Sequence, residues 1–445
     1  MSPTTSAHVG IVGGGMLGLG LALRLREQGC DVTVFEGAAQ IGGLTAAHDI
    51  GGVTWDRFYH VTLLSDAYLR ALLDDLGLAR SIQWRTTRTG FFTDGHLYSF
   101  SSAIDFARFP ALSPIDKLRL GWTILRASRI TDGEPLERIP VVDWLTRLSG
   151  RRTVERIWLP LLRAKLGENY RRASASFIWA IIARMYAARR SGLKREMFGY
   201  VQGGYDVVLQ ALRDHLIARG VELVTGRPVA EVESGSLRLA DGDVRTFDAV
   251  VLTVPCARVA ALCPQLTQAE RDRLRAVVYQ GVVCPSLLLT QPLADYYVTN
   301  ITDGWVPFTG VIEMTTLVDP STFGGRSLVY LPRYLAQDDP QWARSDADIV
   351  AESVDALERM YPHFRREHVV ATQVARVREV LAVTTLDYSR TLLPPLTTSI
   401  PNVYVVNSAQ IANGTLNVNE TLALASRQAA ALAPHLRVAD TVAVS

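Results

Sequence analysis

Three glycines at fixed offsets do most to limit what this chain can fold into. A short apolar strand over 8–12 runs straight into Gly13-Gly14-Gly15-Met16-Leu17-Gly18. A helix follows, with Leu17, Leu21 and Leu25 on one face and Gly29 as its stop. A second strand over 32–35 ends on Glu36. Each residue type has a physical reason. Gly13 permits the tight turn out of the strand, Gly15 lets the backbone approach a pyrophosphate, and Gly18 lets the helix pack on the strand. Phosphates then sit at the positive end of the helix. A carboxylate at position 36 can accept hydrogen bonds from ribose hydroxyls and would repel a 2′-phosphate. A glycine-rich turn alone is weak evidence; the complete strand–turn–helix–strand unit points to a dinucleotide site built on Gly13, Gly15, Met16, Leu17, Gly18 and Glu36. That unit by itself does not separate NAD from FAD.

With 445 residues and 48% apolar side chains, the chain can form two domains or one large α/β unit with an inserted lobe. Residues 61–195 read mostly as helix, interrupted by a hairpin turning at Thr93-Asp94-Gly95. Helices are expected over 66–76, 116–129 and 154–166. Near 200 the pattern changes. Gly203-Gly204 precedes a helix over 206–219, then come a strand over 221–224, a hairpin around Asp241-Gly242 and a buried strand over 249–254. Residues 266–380 are strand-rich, with one amphipathic helix over 345–360. A strand over 403–406, a polar loop and a helix over 420–433 close the chain.

The net charge of +2, without any long basic block, gives no footing for nucleic acid. Basic pairs such as Arg151-Arg152 and Arg189-Arg190 read as solvated helix faces. Cys30, Cys256, Cys263 and Cys284 form no CxxC pair and no metal-ligand spacing, so no metal is expected. The N-terminus lacks the basic-then-apolar pattern of a signal peptide, and no run is apolar enough to span a membrane. A cytoplasmic location is the expectation. The stretch 106–130 mixes Arg108, Lys117, Arg119 and Arg126 with apolar residues; an ordinary lobe helix is favoured over membrane contact there.

From Glu36 through Gln40-Ile41-Gly42-Gly43-Leu44 the chain resembles the second glycine motif of the amine oxidase and protoporphyrinogen oxidase group of flavoproteins. The resemblance implies FAD as cofactor, with Gly42, Gly43 and Leu44 against its pyrophosphate and flavin. Gln40 stands near the position where the group often has arginine, a departure that weakens one phosphate contact. Gly203-Gly204-Tyr205 and Gly226-Arg227-Pro228-Val229 resemble the group's mid-chain segment, in which the residue matching Val229 offers its backbone to adenine. Near the C-terminus, Asn407-Ser408-Ala409-Gln410 stands where a Gly–Asp pair would touch the ribityl chain, and the helix beginning near Asn419 is placed to stabilise negative charge on the flavin pyrimidine. Ser408, Val418 and Asn419 are therefore added to the cofactor set.

The fold so implied is α/β: a Rossmann-like, glutathione-reductase-like FAD-binding domain made of 1–60, 196–265 and 380–435, and an inserted α+β substrate domain made of 61–195 and 266–379. The implied activity is that of an FAD-dependent oxidoreductase of dehydrogenase, oxidase or desaturase type. It would act on a small molecule, of a sugar or natural-product pathway, by hydride transfer to flavin. The spacing from Gly42-Gly43 to His60 also resembles galactopyranose mutases, so a non-redox sugar-nucleotide mutase or isomerase is the alternative. A flavin-binding protein without turnover is a third reading. Oligomeric state stays open.

His60 falls where the group's chain passes the flavin ring, and its imidazole suits either proton transfer or packing beside the cofactor. The chain has only three lysines, Lys117, Lys165 and Lys194. Lys165 ends an apolar helical stretch, so it is either a surface lysine or, if buried, an acid–base candidate. His60 and Lys165 are the catalytic candidates. Arg57, Tyr59, Arg163 and Tyr388 are expected to line the substrate pocket.

Overall fold

A computed structural model describes residues 6–189 and 197–436, with side chains of 187–189 left aside. The expected boundary at 195/196, Lys194 and Arg190 lie outside the described residues. The N-terminal unit forms as its pattern dictates. The strand His8–Val12, apolar and almost wholly buried, pairs in parallel with Asp31–Glu36 on one side and Ala249–Leu252 on the other. Glu222–Thr225 and Val403–Val405 extend this parallel sheet to five strands. Strands buried on both faces need no alternation of polarity, which is why all four positions of Ala249–Leu252 are apolar.

One face of the sheet carries the helices Met16–Glu27, Gly204–Ala218 and Val418–Leu436, which share a core through Leu21, Leu212 and Leu422. The first and last of these helices pack closely, since a Cβ on Gly20 would lie 2.9 Å from Leu422 Cδ2. The other face is covered by a three-stranded antiparallel ribbon, Val229–Glu233, Ser236–Leu239 and Val244–Thr246. The result is a three-layer α/β unit of Rossmann-like type.

The second lobe is built around a large mixed sheet. Its spine is Tyr279–Leu289, antiparallel to Val369–Ala382 along nearly its whole length. The hairpin Thr89–Thr93/His96–Ser99 joins this sheet through Val298–Ile301, with Asp94 and Gly95 both in the left-handed region at the turn. Helices between 103 and 189 pack as a separate apolar cluster around Phe109, Leu145, Trp158 and Trp179.

Several expected bounds shift for identifiable reasons. The helix expected over 116–129 starts earlier, at Pro114, because Ser113 and Asp116 form a capping box and proline is well placed in a first turn. In the stretch over 154–166, residues Val154–Trp158 are π-helical before an α-helix over Leu159–Leu166, next to Pro160, which has no N–H for the regular ladder. The expected lobe boundary at 379/380 falls inside the strand Val369–Ala382, whose last residue still pairs with Tyr279. The hairpin Ala47–Ile50/Val53–Asp56 was assigned to the first lobe, yet it buries Ile50 and Trp55 in the core of the second. In the stretch over 106–130, Leu120, Thr123 and Ala127 face inward while Ile115, Leu118 and Trp122 are exposed. Among the described residues no helix is long and apolar enough to cross a membrane, and no cluster of side chains has a metal-ligand set.

Candidate active site

Gly13 adopts φ 118°, a conformation that L side chains rarely take. Its N–H donates to Phe35 O at 2.8 Å, and Thr253 Oγ1 donates to the carbonyls of Val12 and Gly13. A Cβ on Gly18 would stand 1.9 Å from Gly13 O, so only glycine lets the helix approach the strand this closely. Gly15 is the N-cap of the helix Met16–Glu27; no side chain caps it and no acidic residue occupies its first turn. The first-turn N–H groups, those of Met16, Leu17 and Gly18 among them, therefore have no side-chain acceptor and make an anion-binding end.

The two glycine motifs meet. Gly42, at φ 117°, bridges to Gly15, and its N–H donates to Gly14 O at 2.8 Å. A Cβ on Gly43 would lie 3.3 Å from Gly15 Cα. Leu44, next in the chain, packs on the second lobe's core. The Glu36 carboxylate accepts from Gly14 N–H at 2.8 Å and Ala38 N–H at 2.9 Å, and is part-exposed, leaving lone pairs for further donors. Gly226 N–H donates to Ala38 O and Arg227 N–H to Glu36 O, which sets Val229, the first residue of the antiparallel ribbon, beside the Glu36 end of the sheet. A dinucleotide fits these residues on three counts: glycines where a Cβ would fill the cradle, open N–H groups at a helix end, and a carboxylate at the far strand.

At the C-terminal segment, where a Gly–Asp pair was expected, Asn407 holds the turn in place. It is fully buried; its Oδ1 accepts from Ala409 N–H, and its Nδ2 donates to Val254 O and Cys256 Sγ. Ser408 begins the short turn that this lock holds. Val418 opens the last helix, and Asn419 has another duty than the one expected. Its Oδ1 accepts from the N–H groups of Tyr68 and Leu69, capping the helix Ala67–Asp75 from outside. Its side chain is thus spent on that cap, leaving its backbone for a cofactor.

Between the lobes lies a cavity of about 530 Å³. Its walls come from the helical cluster (Trp158, Leu162, Phe177, Ile181), the large sheet (Asn300, Ile312, Tyr334) and the loop Gly414, Thr415 and Leu416 that leads into the last helix. Of the expected pocket residues it brings in Tyr59, together with Lys165, which is half-buried on the wall. Lys165 Nζ stands 3.5 Å from the centroid of the Tyr334 ring, and the hydroxyls of Tyr334 and Tyr59 are 3.0 Å apart. Burial holds the Tyr59 phenol well above its usual range. Three pocket expectations are corrected. Arg163 is exposed and lies over the Tyr170 ring; two residues before Lys165, it sits about 160° round the helix from that cavity-wall residue. Tyr388 is 1% exposed and donates to Ala409 O at 2.8 Å, a core tyrosine behind the Asn407 turn. Arg57 is outside the cavity wall, near His48, whose pKa it helps to lower after burial.

His60 also lies off that cavity. It lines a space of about 10 Å³ with Trp55, Asp56 and Tyr205. Asp56 Oδ1 accepts from Tyr205 N–H at 2.7 Å, and its Oδ2 is 3.9 Å from His60 Nδ1, too far for a hydrogen bond. Burial pushes Asp56 up to about 7 and His60 down to about 4, so an uncharged acid faces an uncharged imidazole between those values. Asp56, Tyr334 and Arg184, the last on the cavity wall and paired with Asp66, lie outside the residues expected from the sequence. Asp56 had a signal, an i,i+4 spacing to His60; Tyr334 had none, reaching Tyr59 across 275 positions.

Comparison with known proteins follows this geometry. A family model described as "Flavin containing amine oxidoreductase" matches residues 18–432. A coproporphyrinogen III oxidase of Mycobacterium tuberculosis (strain ATCC 25618 / H37Rv) is 27% identical over 289 residues, covering 60% of this chain and 63% of that protein. The match thus spans less than two thirds of that relative's length. Among solved structures, a reduced UDP-galactopyranose mutase aligns with TM-score 0.75 at 16% identity over 97% of this chain and 96% of its own. A putrescine oxidase bound to putrescine aligns with TM-score 0.72 at 17% identity, over 97% of this chain and 100% of its own. These structural likenesses concern the fold.

Proposed function

The chain belongs to the flavin containing amine oxidoreductase family, and from that premise we propose that it is an FAD-dependent oxidoreductase that removes a hydride from a C–H bond of a small molecule. The observation that carries this reading is the contact between the two glycine motifs, Gly15 against Gly42, at an uncapped helix end with Glu36 beside it. Such a cradle suits a pyrophosphate flanked by two nucleosides. The glutathione-reductase-like form of the domain, and the division into a discontinuous FAD lobe and an inserted substrate lobe, belong to the same proposal.

When bound, flavin supplies the hydride-accepting ring. The protein's part is to bind and orient. First-turn N–H groups of Met16, Leu17 and Gly18 hold phosphate, Glu36 accepts from ribose, and the backbones of Val229, Ser408, Val418 and Asn419 complete the cofactor set. The positive end of the helix Val418–Leu436 favours negative charge placed before it. Burial keeps the phenol proton on Tyr59 in the cavity wall, its hydroxyl paired with that of Tyr334, and the apolar side chains of Trp158, Phe177 and Ile312 exclude water. His60, kept neutral, holds its ring beside Tyr205 at 4.9 Å between centroids, a packing role by the cofactor rather than a proton transfer through the cavity.

The test is anaerobic. Purified protein should carry a yellow flavin band, releasable as FAD, that a substrate bleaches without oxygen; a substrate converted with the band untouched defeats the redox reading. The mutase or isomerase alternative finds support only in the shared fold with reduced UDP-galactopyranose mutase. It would appear as turnover only after dithionite reduction, with no net electron transfer. Four free, buried cysteines suit a reducing compartment, and the cytoplasm is the location proposed.

A further inference from the structure

We propose that Lys165 is an anchor for an oxyanion, so that the cavity between the lobes takes an amphipathic substrate with a carboxylate or phosphate group and an apolar body, not a cationic amine. The proposal rests on reading this cavity as the substrate site. Among the described residues, its charged wall residues are Lys165 and Arg184. They differ in kind. Arg184 is already neutralised, since its guanidinium lies 3.0 Å from a carboxylate oxygen of buried Asp66. Lys165 has no carboxylate or carbonyl partner among the described residues; its one contact is the face of the Tyr334 ring at 3.5 Å. A ring face attracts a cation without accepting its N–H protons as an oxygen would, so three donors stay available on a half-buried group.

The tyrosine pair positions this cation. Tyr334 carries the ammonium on its face while its hydroxyl is tied to Tyr59 OH at 3.0 Å, so the ring is held in place by its edge. An ammonium is a compact point charge rather than a planar fork, which suits a single anionic oxygen. The rest of the wall is predominantly apolar and aromatic, with Trp158, Leu162, Phe177, Ile181 and Ile312. Nearby carboxylates do not offset the charge for a cationic guest. Asp66 is committed to Arg184 and to Leu63 N–H, and Glu420 packs against Gly414 without lining the cavity. A substrate amine would meet an uncompensated like charge, whereas a carboxylate or phosphate would complete the unmade hydrogen bonds.

The test uses three fluorescent probes with one apolar body, 1-pyrenebutyrate, 1-pyrenebutanol and 1-pyrenebutylamine, titrated by anisotropy into the protein after incubation with FAD. The acid is expected to bind about tenfold or more tighter than the alcohol, and the amine weakest, for one charge-assisted hydrogen bond. Lys165→Met should bring acid and alcohol together, while Lys165→Arg should keep their order; 1-pyrenebutyl phosphate in a fourth arm tells which oxyanion is preferred. Equal binding of acid and alcohol by the unaltered protein, tighter binding of the amine, or an acid preference that survives Lys165→Met overturns the proposal. The flavin band of each preparation is read separately. A full band without acid preference defeats the anchor alone, and acid preference in protein that takes up no flavin defeats the flavoenzyme reading alone.

Discussion

Asp56 and His60 titrate in opposite senses, and the consequence is measurable. Asp56 is raised from 3.8 to about 7, so between those values the folded state holds a proton that the unfolded state has lost, and stability falls as pH rises. His60 is lowered from 6.5 to about 4, so over that window the unfolded state holds the extra proton, and stability rises with pH. Each amounts to roughly 3–4 kcal/mol across its window, and the two offset one another between about pH 4 and 6.5. Asp56→Asn, which keeps the acceptor for Tyr205 N–H, should unmask the histidine: urea unfolding of the variant should show stability climbing from pH 4 to 6.5 more steeply than in the parent. Identical slopes would refute the pairing. Glu36 is an acceptor for two backbone N–H groups and, in the proposed site, for ribose. Glu36→Ala removes the acceptor for Gly14 and Ala38 N–H as well as for ribose, and FAD affinity measured by flavin fluorescence should drop about 10- to 100-fold.

Among the elements, two helices show how local motifs depend on distant partners. The helix Met16–Glu27 has no side-chain cap, so its first turn is open to a ligand; Gly18→Ala would put a methyl 1.9 Å from Gly13 O and push the helix off the strand. Protein of this variant should purify with little FAD, and normal flavin content would contradict the close packing. The helix Ala67–Asp75 is the reverse case, capped by Asn419 from 350 positions away. Asn419→Ala should cost about 1 kcal/mol in denaturant unfolding yet leave FAD affinity largely intact, because only the side chain is used in the cap. A large loss of FAD affinity with unchanged stability would instead place that side chain on the cofactor. The hairpin turn at Asp94-Gly95 and the amphipathic helix Asp346–Met360 were legible because their signals are local. The π-helical start at Val154–Trp158 was not, since periodicity alone does not register an extra residue in a turn.

At the scale of the whole molecule, the proposed cofactor set draws on four separated stretches, from Gly13 to Asn419, that come together only in the folded chain. Ligand binding to the native state should therefore stabilise it globally: free FAD at about a hundredfold its dissociation constant should add about 2.7 kcal/mol, read as a higher melting temperature of reconstituted over flavin-stripped protein. No shift on reconstitution would refute a site assembled in this way. The lobe division was less legible than the cradle. The strand Val369–Ala382 crosses its expected edge, and the hairpin of residues 47–56 serves the second core, because buried apolar side chains join whichever core their strand register presents to them. The sequence by itself determined the glycine turn, the open helix end and Glu36 beside it, since these follow from backbone sterics and charge within 24 consecutive residues. Only the tertiary structure decided the cavity. It put Lys165 on the Tyr334 ring, turned Arg163 and Tyr388 away, and set Asp56 against His60 in a dry corner, because contact and burial across hundreds of positions depend on how sheets and helices pack.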